Sequence, residues 1–346
     1  MRAIRARAGA CALAWILLAS PLEAQTAADV ATLSGPDRMQ KLIDGAKREG
    51  AVNIYSSATQ EDMSAISGAF QKKYGVKAVL WRGGTEDMMR RALAEARAGR
   101  FEVDTLETGG MGMEVFHREG LLQPITSDVT KELAPQASFP HREWVATRMN
   151  IFAIGYNTRV IPKQDAPRSW DDLLDPRFRG KLAVEDSSVD WLASMAADMG
   201  EERTVKLFRD MVARNGVSVR KGHTLLANLI ASGEVPLSIT VYDNRIEQMK
   251  RDGVPVELIY MPPVYAQPVG IGVAKRAPHP HAAVLFYEFM LSDGQQLYFE
   301  RSVNPTNTKI KPLPAGADVK FVNFPELMDR SEKWKKLFHE IFVSRK

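Results

Sequence analysis

Five short loops carry the side chains that could bind or transform a small molecule. Each loop follows an apolar segment with strand spacing and precedes a segment with helical spacing, and the loops comprise residues 56–59, 82–85, 107–110, 185–188 and 242–245. They are rich in hydroxyl groups, glycines and backbone amides. The first amides of a helix lack internal partners and lie at the positive end of its dipole, so they attract anions. The loops therefore predict a binding site for an anion.

The candidate ligand-binding residues of the loops are polar side chains and glycines. Arg82, next to Gly83 and Gly84, is suited to hold a carboxylate or phosphate through two parallel hydrogen bonds. From the loops we predict that the ligand contacts Ser56, Ser57, Thr59, Arg82, Gly83, Gly84, Glu107, Thr108, Ser187, Ser188, Tyr242, Asn244 and Arg245.

Catalytic motifs are missing from the sequence. None of the six histidines has the HExxH spacing of a zinc enzyme, and there is no GxSxG, Walker or GxGxxG motif. The acidic pairs 61–62, 86–87 and 171–172 fall in the first turns of predicted helices, where they offset the helix dipole. We therefore predict no catalytic residues and no cofactor, and we do not expect an enzyme.

Alternating strands and helices must position these loops. Strand and helix patterns alternate at residues 51–55, 61–74, 76–81, 86–98 and 103–106, and again from 181 to 260. This alternation predicts an α/β fold with a mostly parallel sheet covered by helices on both faces. Ligands bind such sheets beyond the carboxyl ends of the strands, which is where the five loops are expected.

The first 24 residues have the order of an export signal. Arg2, Arg5 and Arg7 precede an apolar run over 8–19, and small residues follow before residue 25. The run is short for a membrane-spanning helix, which needs about 20 apolar residues, and an uncleaved anchor is the alternative. We predict that residues 1–24 are a signal peptide and that the protein works in the periplasm.

Removing the signal leaves 322 of the 346 residues and changes the composition in two ways. The only cysteine, Cys11, is lost, so we expect no disulfide, thiolate ligand or cysteine nucleophile. The net charge falls from +4 to +2, because three arginines and one glutamate leave, and this near balance does not suggest a nucleic-acid partner. A chain of this length exceeds one usual hydrophobic core, so two lobes are predicted.

Two segments resemble a known family. Residues 152–157, Phe-Ala-Ile-Gly-Tyr-Asn, and residues 169–183, Ser-Trp-Asp-Asp-Leu-Leu-Asp-Pro-Arg-Phe-Arg-Gly-Lys-Leu-Ala, resemble the type II periplasmic solute-binding proteins of ABC importers. Within that family the chain is similar to the branch that includes the ferric-ion-binding proteins. Residues 224–238 and 270–273 fit the same pattern, so the resemblance covers nearly all of the chain after the signal.

The resemblance implies a two-lobed α/β fold with a hinged cleft. The lobes would be joined by two crossing strands, 145–157 and 268–275, and would comprise residues 25–150 with 272–305 and residues 151–271 with 306–346. Ligand would bind between the lobes, which would close on it. The partners implied are a small-molecule anion and the permease of an ABC importer, and we expect a monomer that binds no nucleic acid.

The resemblance leaves two classes of ligand open. Ferric-binding members have two adjacent tyrosines where this chain has Tyr242 alone. In an Fe3+ site, Tyr265 would substitute for the missing tyrosine, with His223 or Glu107 helping. Other members bind phosphonates and sugar phosphates, which suit Arg82 and the hydroxyl-rich loops. Trp191, Tyr242 and Tyr265 would then supply apolar walls. We predict a phosphonate, organophosphate or carboxylate; the alternatives are Fe3+ and, third, an exported enzyme on the same fold.

Overall fold

The computed structural model describes residues 25–314 and 316–344. The predicted signal peptide, residues 1–24, lies outside the described residues and stays a prediction. Within the described part of the chain, no helix combines the length and the apolar character needed to cross a bilayer.

The strands and helices alternate along the chain. The strands are β1 (Ala51–Ser56), β2 (Lys77–Arg82), β3 (Thr105–Gly109), β4 (Leu122–Gln123), β5 (Trp144–Asn157), β6 (Leu182–Glu185), β7 (Val217–Arg220), β8 (Leu237–Tyr242), β9 (Val256–Ile259), β10 (Val264–Ala274), β11 (Asn304–Pro305) and β12 (Val319–Phe321). The helices are α1 (Ala27–Ala31), α2 (Arg38–Glu49), α3 (Gln60–Tyr74), α4 (Thr85–Arg97), α5 (Gly110–Arg118), α6 (Val189–Met199), α7 (Glu201–Asn215), α8 (His223–Ser232), α9 (Asp243–Arg251), α10 (Pro280–Leu291), α11 (Asp293–Glu300), α12 (Phe324–Asp329) and α13 (Ser331–Phe338). A π-helical turn, His339–Val343, follows α13.

Helix α3 shows how local sequence sets these boundaries. The Thr59 side chain accepts a hydrogen bond from the Asp62 amide and caps the first turn, and Gly75 ends the helix in a left-handed conformation. The face that carries Met63 and Phe70 is buried. The cap places the 57–59 loop, which the sequence singles out, at the start of a helix.

One sheet runs through both lobes. Its strand order is β2-β1-β3-β10-β5-β8-β6-β7. Strands β1, β2 and β3 are parallel to one another, as are β6, β7 and β8, whereas β10 is antiparallel to both β3 and β5. The first half of β5 pairs with β10, and its second half pairs with β8 and β9. The predicted α/β fold with two lobes joined by crossing strands is confirmed, with β10 beginning four residues earlier than expected.

The hydrophobic cores lie on either side of the crossing strands. One core takes buried residues from 27–146 and 271–303, and the other takes residues mostly from 152–265 and 322–342. A small cluster around Met149 and Ala266 lies between them, on the crossing strands themselves. The last helix packs on the second core, because Trp334 and Phe338 are buried there.

A glycine on β10 allows the crossing strands to approach closely. A Cβ atom on Gly270 would lie 2.4 Å from the Trp144 ring and 3.0 Å from the Val145 carbonyl oxygen. We therefore expect Gly270→Ala to lower the free energy of unfolding by about 1–3 kcal/mol, the usual cost of overpacking.

Gly68, on an exposed face of α3, provides the matched control for that substitution. A Cβ atom there would have no neighbour within 4 Å among the described residues beyond its own stretch of helix, so Gly68→Ala is expected to raise stability by about 0.5–1 kcal/mol. Urea unfolding of both variants measures the difference. Equal stability changes in the two variants would show that the crossing strands tolerate a side chain at Gly270.

Candidate ligand-binding cleft

A cavity of about 690 Å³ lies between the lobes, and its size suits a small molecule. Lobe 1 contributes the loop after β1, the start of α3 and the end of α11. Lobe 2 contributes the starts of α8 and α9. Strand β5 contributes the lining residues that lie between the lobes. The lining residues are Ser57, Ala58, Thr59, Glu61, Asp62, Arg148, Asn150, His223, Thr224, Tyr242, Asn244, Arg245, Gln248, Asp252, Glu300, Arg301 and Ser302.

Three helices begin at this cavity. Thr59 is the N-cap of α3, His223 and Thr224 start α8, and Asn244 lies in the first turn of α9. In α8 the first backbone bond runs from the Leu226 amide to the Gly222 carbonyl, so the preceding helical amides have no partner within the helix. The three N-termini bring partial positive charge from both lobes to one space, which favours an anion.

Arg148 adds a full positive charge between the lobes. Its Nε donates a hydrogen bond to Glu107 Oε1 at 3.1 Å, and Glu107, fully buried, also accepts a hydrogen bond from Ser56 Oγ at 2.5 Å. Burial is the largest single influence and would lower the pKa of Arg148, but the charge and hydrogen bonds of Glu107 and Tyr298 together outweigh it, and the pKa is raised. The guanidinium therefore stays charged, and Glu107 fixes its position at the cavity wall.

Tyr242 and His223 form a neutral aromatic wall on the lobe 2 side. Their rings are stacked with centroids 3.5 Å apart. The Tyr242 hydroxyl donates to Gln267 Oε1 at 2.8 Å, and Gln267 Nε2 donates to Asp190 Oδ2 at 3.1 Å. Burial, with the negative charges of Asp190 and Glu185, holds the pKa of the Tyr242 phenol well above its usual value, so the phenol keeps its proton.

The two ring nitrogens of His223 are buried and have no hydrogen-bond partner among the described residues. Nε2 lies 3.3 Å from Glu185 Oε2, but the contact lacks hydrogen-bond geometry. Burial lowers the pKa of His223 to about 3, against the opposing charge of Asp186, so the ring is neutral. A ligand with a donor or acceptor group would satisfy one of these nitrogens.

This buried histidine predicts a pH dependence. Because the pKa of His223 is lower in the folded protein than in the unfolded chain, the unfolded chain takes up the proton first, and stability is lost as the pH falls below about 6.5. The variant His223→Gln has no titratable group at this position. Relative to this variant, the free energy of unfolding of the wild type is expected to fall by about 2 kcal/mol between about pH 6.5 and about pH 5.

Chemical unfolding of both proteins across this pH range measures the effect. Asp190 and Asp243, whose pKa values burial raises to about 6, shift stability in the opposite direction, but they are present in both proteins and cancel in the difference. A difference between the two proteins that does not change with pH would contradict a neutral, buried His223.

The structure brings six of the residues considered from sequence to this cavity: Ser57, Thr59, His223, Tyr242, Asn244 and Arg245. Ser56 and Glu107 lie behind the wall and hold Arg148. The Thr108 hydroxyl, also buried, pairs with Thr85 at 2.9 Å.

The glycine-rich loop after β2 and the serines after β6 do not line the cavity. Arg82 Nε donates to the Ala58 carbonyl at 3.1 Å, so this arginine supports the neighbouring loop, and Gly83 and Gly84 lie beside it. Ser187 and Ser188 donate their hydroxyls to buried acceptors, Ser187 to Glu185 and Ser188 to Thr240. In this structure these side chains are bonded within the protein and lie outside the cavity.

The two further aromatic residues lie in the core of lobe 2. Trp191 packs against Trp170 and Phe208, with ring centroids 5.7 and 5.1 Å away. Tyr265 donates its hydroxyl to Asp198 Oδ2 at 2.6 Å. Neither residue lines the cavity, so neither forms the wall expected from sequence, and Tyr265 does not join Tyr242.

Sequence reasoning missed Arg148 and Asn150. Both lie on β5, a strand that is otherwise strongly apolar, and they are two positions apart. Residues two apart on a strand point to the same face. A pair of polar side chains on one face of an otherwise apolar strand is the sequence pattern that could have identified them.

This combination of two α/β lobes, crossing strands and an interlobe cleft defines a type II solute-binding protein. The family of bacterial extracellular solute-binding proteins matches residues 108–329, and the chain belongs to this family. The family predicted from the two sequence segments is therefore confirmed, together with the branch that includes ferric-binding proteins.

Three similar proteins illustrate the range of the branch. Iron uptake protein A1 of Synechocystis sp. is 22% identical over 75% of this chain and 76% of its own length. Iron-bound HitA from Pseudomonas aeruginosa has a TM-score of 0.69 at 20% identity, covering 84% of this chain and 99% of HitA. AfuA from Actinobacillus pleuropneumoniae, solved with fructose-6-phosphate bound, has a TM-score of 0.70 at 21% identity, covering 85% and 99%. At these identities the solved structures establish the fold alone.

Proposed function

We propose that this protein captures a small anionic organic solute, of phosphonate, organophosphate or carboxylate type, and delivers it from the periplasm to the permease of an ABC importer. The observation that carries the proposal is the meeting of three helix N-termini and the charged Arg148 at one interlobe cavity. The fructose-6-phosphate bound to AfuA, a structural neighbour, supports a phosphorylated ligand on this fold.

Ferric iron is the second candidate, and the names of two similar proteins favour it. The donor atoms at this cleft fit Fe3+ less well. Tyr242 is the one tyrosine among the described lining residues, its phenol is protonated, and Tyr265 is engaged in the lobe 2 core. Hard anionic oxygen ligands suit Fe3+. Four carboxylates line the cavity, but Glu61 and Asp62 are paired with Arg301, and Asp252 and Glu300 accept hydrogen bonds from Gln248 and Gln296. Among the described residues, none of these carboxylates belongs to a group of three histidine or acidic side chains close enough to share one ion.

A ligand screen separates the two candidates. We expect a phosphonate, a sugar phosphate or a dicarboxylate to raise the melting temperature of the purified protein and to give saturable heat in calorimetry. Fe3+ supplied as its citrate complex is the competing ligand. A visible phenolate-to-iron band that disappears in Tyr242→Phe, without a response to any organic anion, would replace the organic-anion proposal with iron.

We also propose that the protein is a carrier and not an enzyme. No bond needs to form or break for a solute to be held by helix amides and Arg148. After prolonged incubation, 31P and proton NMR of a bound organophosphate should recover the compound unchanged. Conversion of the compound at a rate that depends on protein concentration would contradict a pure carrier.

We expect hinge motion at β5 and β10 to open the lobes in the absence of ligand and to close them when ligand binds. They already touch across the mouth of the cleft, where Ser302 of lobe 1 is hydrogen-bonded to Gln248 and Arg251 on α9. Small-angle scattering should therefore show a smaller radius of gyration with the ligand found in the screen than without it. An unchanged radius at saturating ligand would argue against closure.

A further inference from the structure

A second polar cluster lies at the end of α5 and the start of β5. His117 is in the last turn of α5, and His141 and Glu143 lie in the segment that leads into β5. Each of the three is half-buried and offers a ligand atom, and these atoms lie within 4.8 Å of one another. Within residues 25–314 and 316–344, this is the group of histidine, cysteine and acidic side chains that comes together closely enough for one ion.

We propose that His117, His141 and Glu143 bind a divalent transition-metal ion of the Zn2+ type. Two imidazoles and one carboxylate form a donor set that Zn2+ and its neighbours in the first transition row accept. Three protein ligands leave a coordination position for water or for a group from another molecule. The site is independent of the proposed solute, because none of its residues lines the cleft.

The contacts within the cluster suit ligands that share one ion. His117 Nδ1 lies 2.8 Å from Glu143 Oε2, and the rings of the two histidines are stacked with centroids 4.0 Å apart. The Glu143 amide donates to His141 Nδ1 at 3.0 Å. Coordination through His141 Nδ1 would replace this one hydrogen bond, whereas coordination through Nε2 would leave it intact.

The surrounding charges favour a cation over an anion. Besides Glu143, the carboxylate of Glu114 lies one turn earlier on α5, and it is paired with Arg118 at 2.9 Å. Arg142, between the two ligands of the β5 segment, is exposed and donates to Thr126. The cluster itself holds one carboxyl group and no arginine or lysine side chain, so a divalent ion would be the main positive charge in it.

The cluster is distant from the cleft along β5. Arg148 lies five positions after Glu143, which corresponds to roughly 17 Å along an extended strand. Metal binding can therefore be measured without disturbing the solute site. Trp144, whose ring centroid lies 6.3 Å from that of His141, provides a local fluorescent reporter.

The test uses the chain without a histidine tag, treated with chelator and then titrated with Zn2+ by calorimetry and with Co2+ by visible absorption. We expect saturation at one ion per chain. His117→Gln combined with His141→Gln should weaken Zn2+ binding by more than about tenfold, because even the loss of a group that only supports a metal ligand typically costs about 10- to 100-fold. His339→Gln, which changes an exposed histidine far along the chain on the last turn, is the matched control and should bind as the wild type does.

Two further variants keep the result interpretable. Co2+ should quench part of the tryptophan fluorescence, and Trp144→Phe should remove that part while leaving Co2+ affinity within about twofold. Tyr242→Phe should leave Zn2+ affinity unchanged, which separates this site from any metal held in the cleft. The proposal is overturned if a double histidine variant with wild-type circular dichroism binds Zn2+ as tightly as the wild type, or if Tyr242→Phe abolishes binding.

Discussion

Replacing Arg148 by methionine is expected to lower affinity for the proposed anionic ligand by about 10- to 150-fold, the equivalent of a charged hydrogen bond of about 1.5–3 kcal/mol. The same change should lower the free energy of unfolding by about 3–5 kcal/mol, because Glu107 is left as a buried carboxylate without its cation. Calorimetry with the ligand from the screen measures the first effect, and urea unfolding measures the second. Arg203→Met, on an exposed position of α7, is the control and should change neither.

A double variant separates the two effects of Arg148. Adding Glu107→Gln removes the stranded charge while keeping a side chain that can still bond to Ser56, so most of the lost stability should return. Affinity should stay low, because the guanidinium is still absent. If Arg148→Met bound the anion as tightly as the wild type, the charged group that recognises the ligand would have to be sought elsewhere, with Arg245 and Arg301 as the remaining arginines of the lining.

Phe208→Ala is expected to destabilise lobe 2 by about 3–5 kcal/mol. The ring is fully buried on α7 and contacts Trp170, Trp191 and Phe342, with centroids 5.1 to 6.1 Å away. Truncation removes apolar burial and leaves a cavity at the point where α6, α7 and the chain's last turn meet.

The control for that variant is Phe299→Ala. Phe299 is 43% exposed on α11, so its truncation should change stability by no more than about 0.5 kcal/mol. Because Phe208 belongs to the lobe 2 core, tryptophan fluorescence, which reports on Trp170, Trp191 and Trp334 there, should show the unfolding transition at lower urea. A Phe208→Ala protein as stable as the control would mean that lobe 2 repacks around the lost ring.

The ion pair of Arg148 and Glu107 is held by residues from several elements of the fold. Glu107 ends β3 and Arg148 lies on β5, and β10 separates these strands in the sheet. Tyr298, from α11, donates to Glu107 at 3.3 Å and completes the support. One buried carboxylate thus fixes the cationic group that sits between the two lobes.

The sequence alone determined the fold class, the crossing strands and the family. These features depend on local patterns: the alternation of strand and helix spacing, helix caps such as Thr59, and the motif at 152–157 with its continuation at 169–183. Each is readable from neighbours in the chain, because hydrophobic periodicity and capping act over a few residues. The long β5 was predicted to within one residue for the same reason.

Only the tertiary structure decided which polar groups meet. Arg82 ends β2, which is the edge strand of the sheet, whereas Arg148 lies on β5. In the sheet order β2 is four strand spacings from β5, which corresponds to roughly 19 Å. Tyr265 shares a face of β10 with Gln267, but it lies two residues earlier and meets the far end of α6. Strand order and register are set by long-range packing, so a loop rich in the right side chains can still end in the wrong place for the ligand.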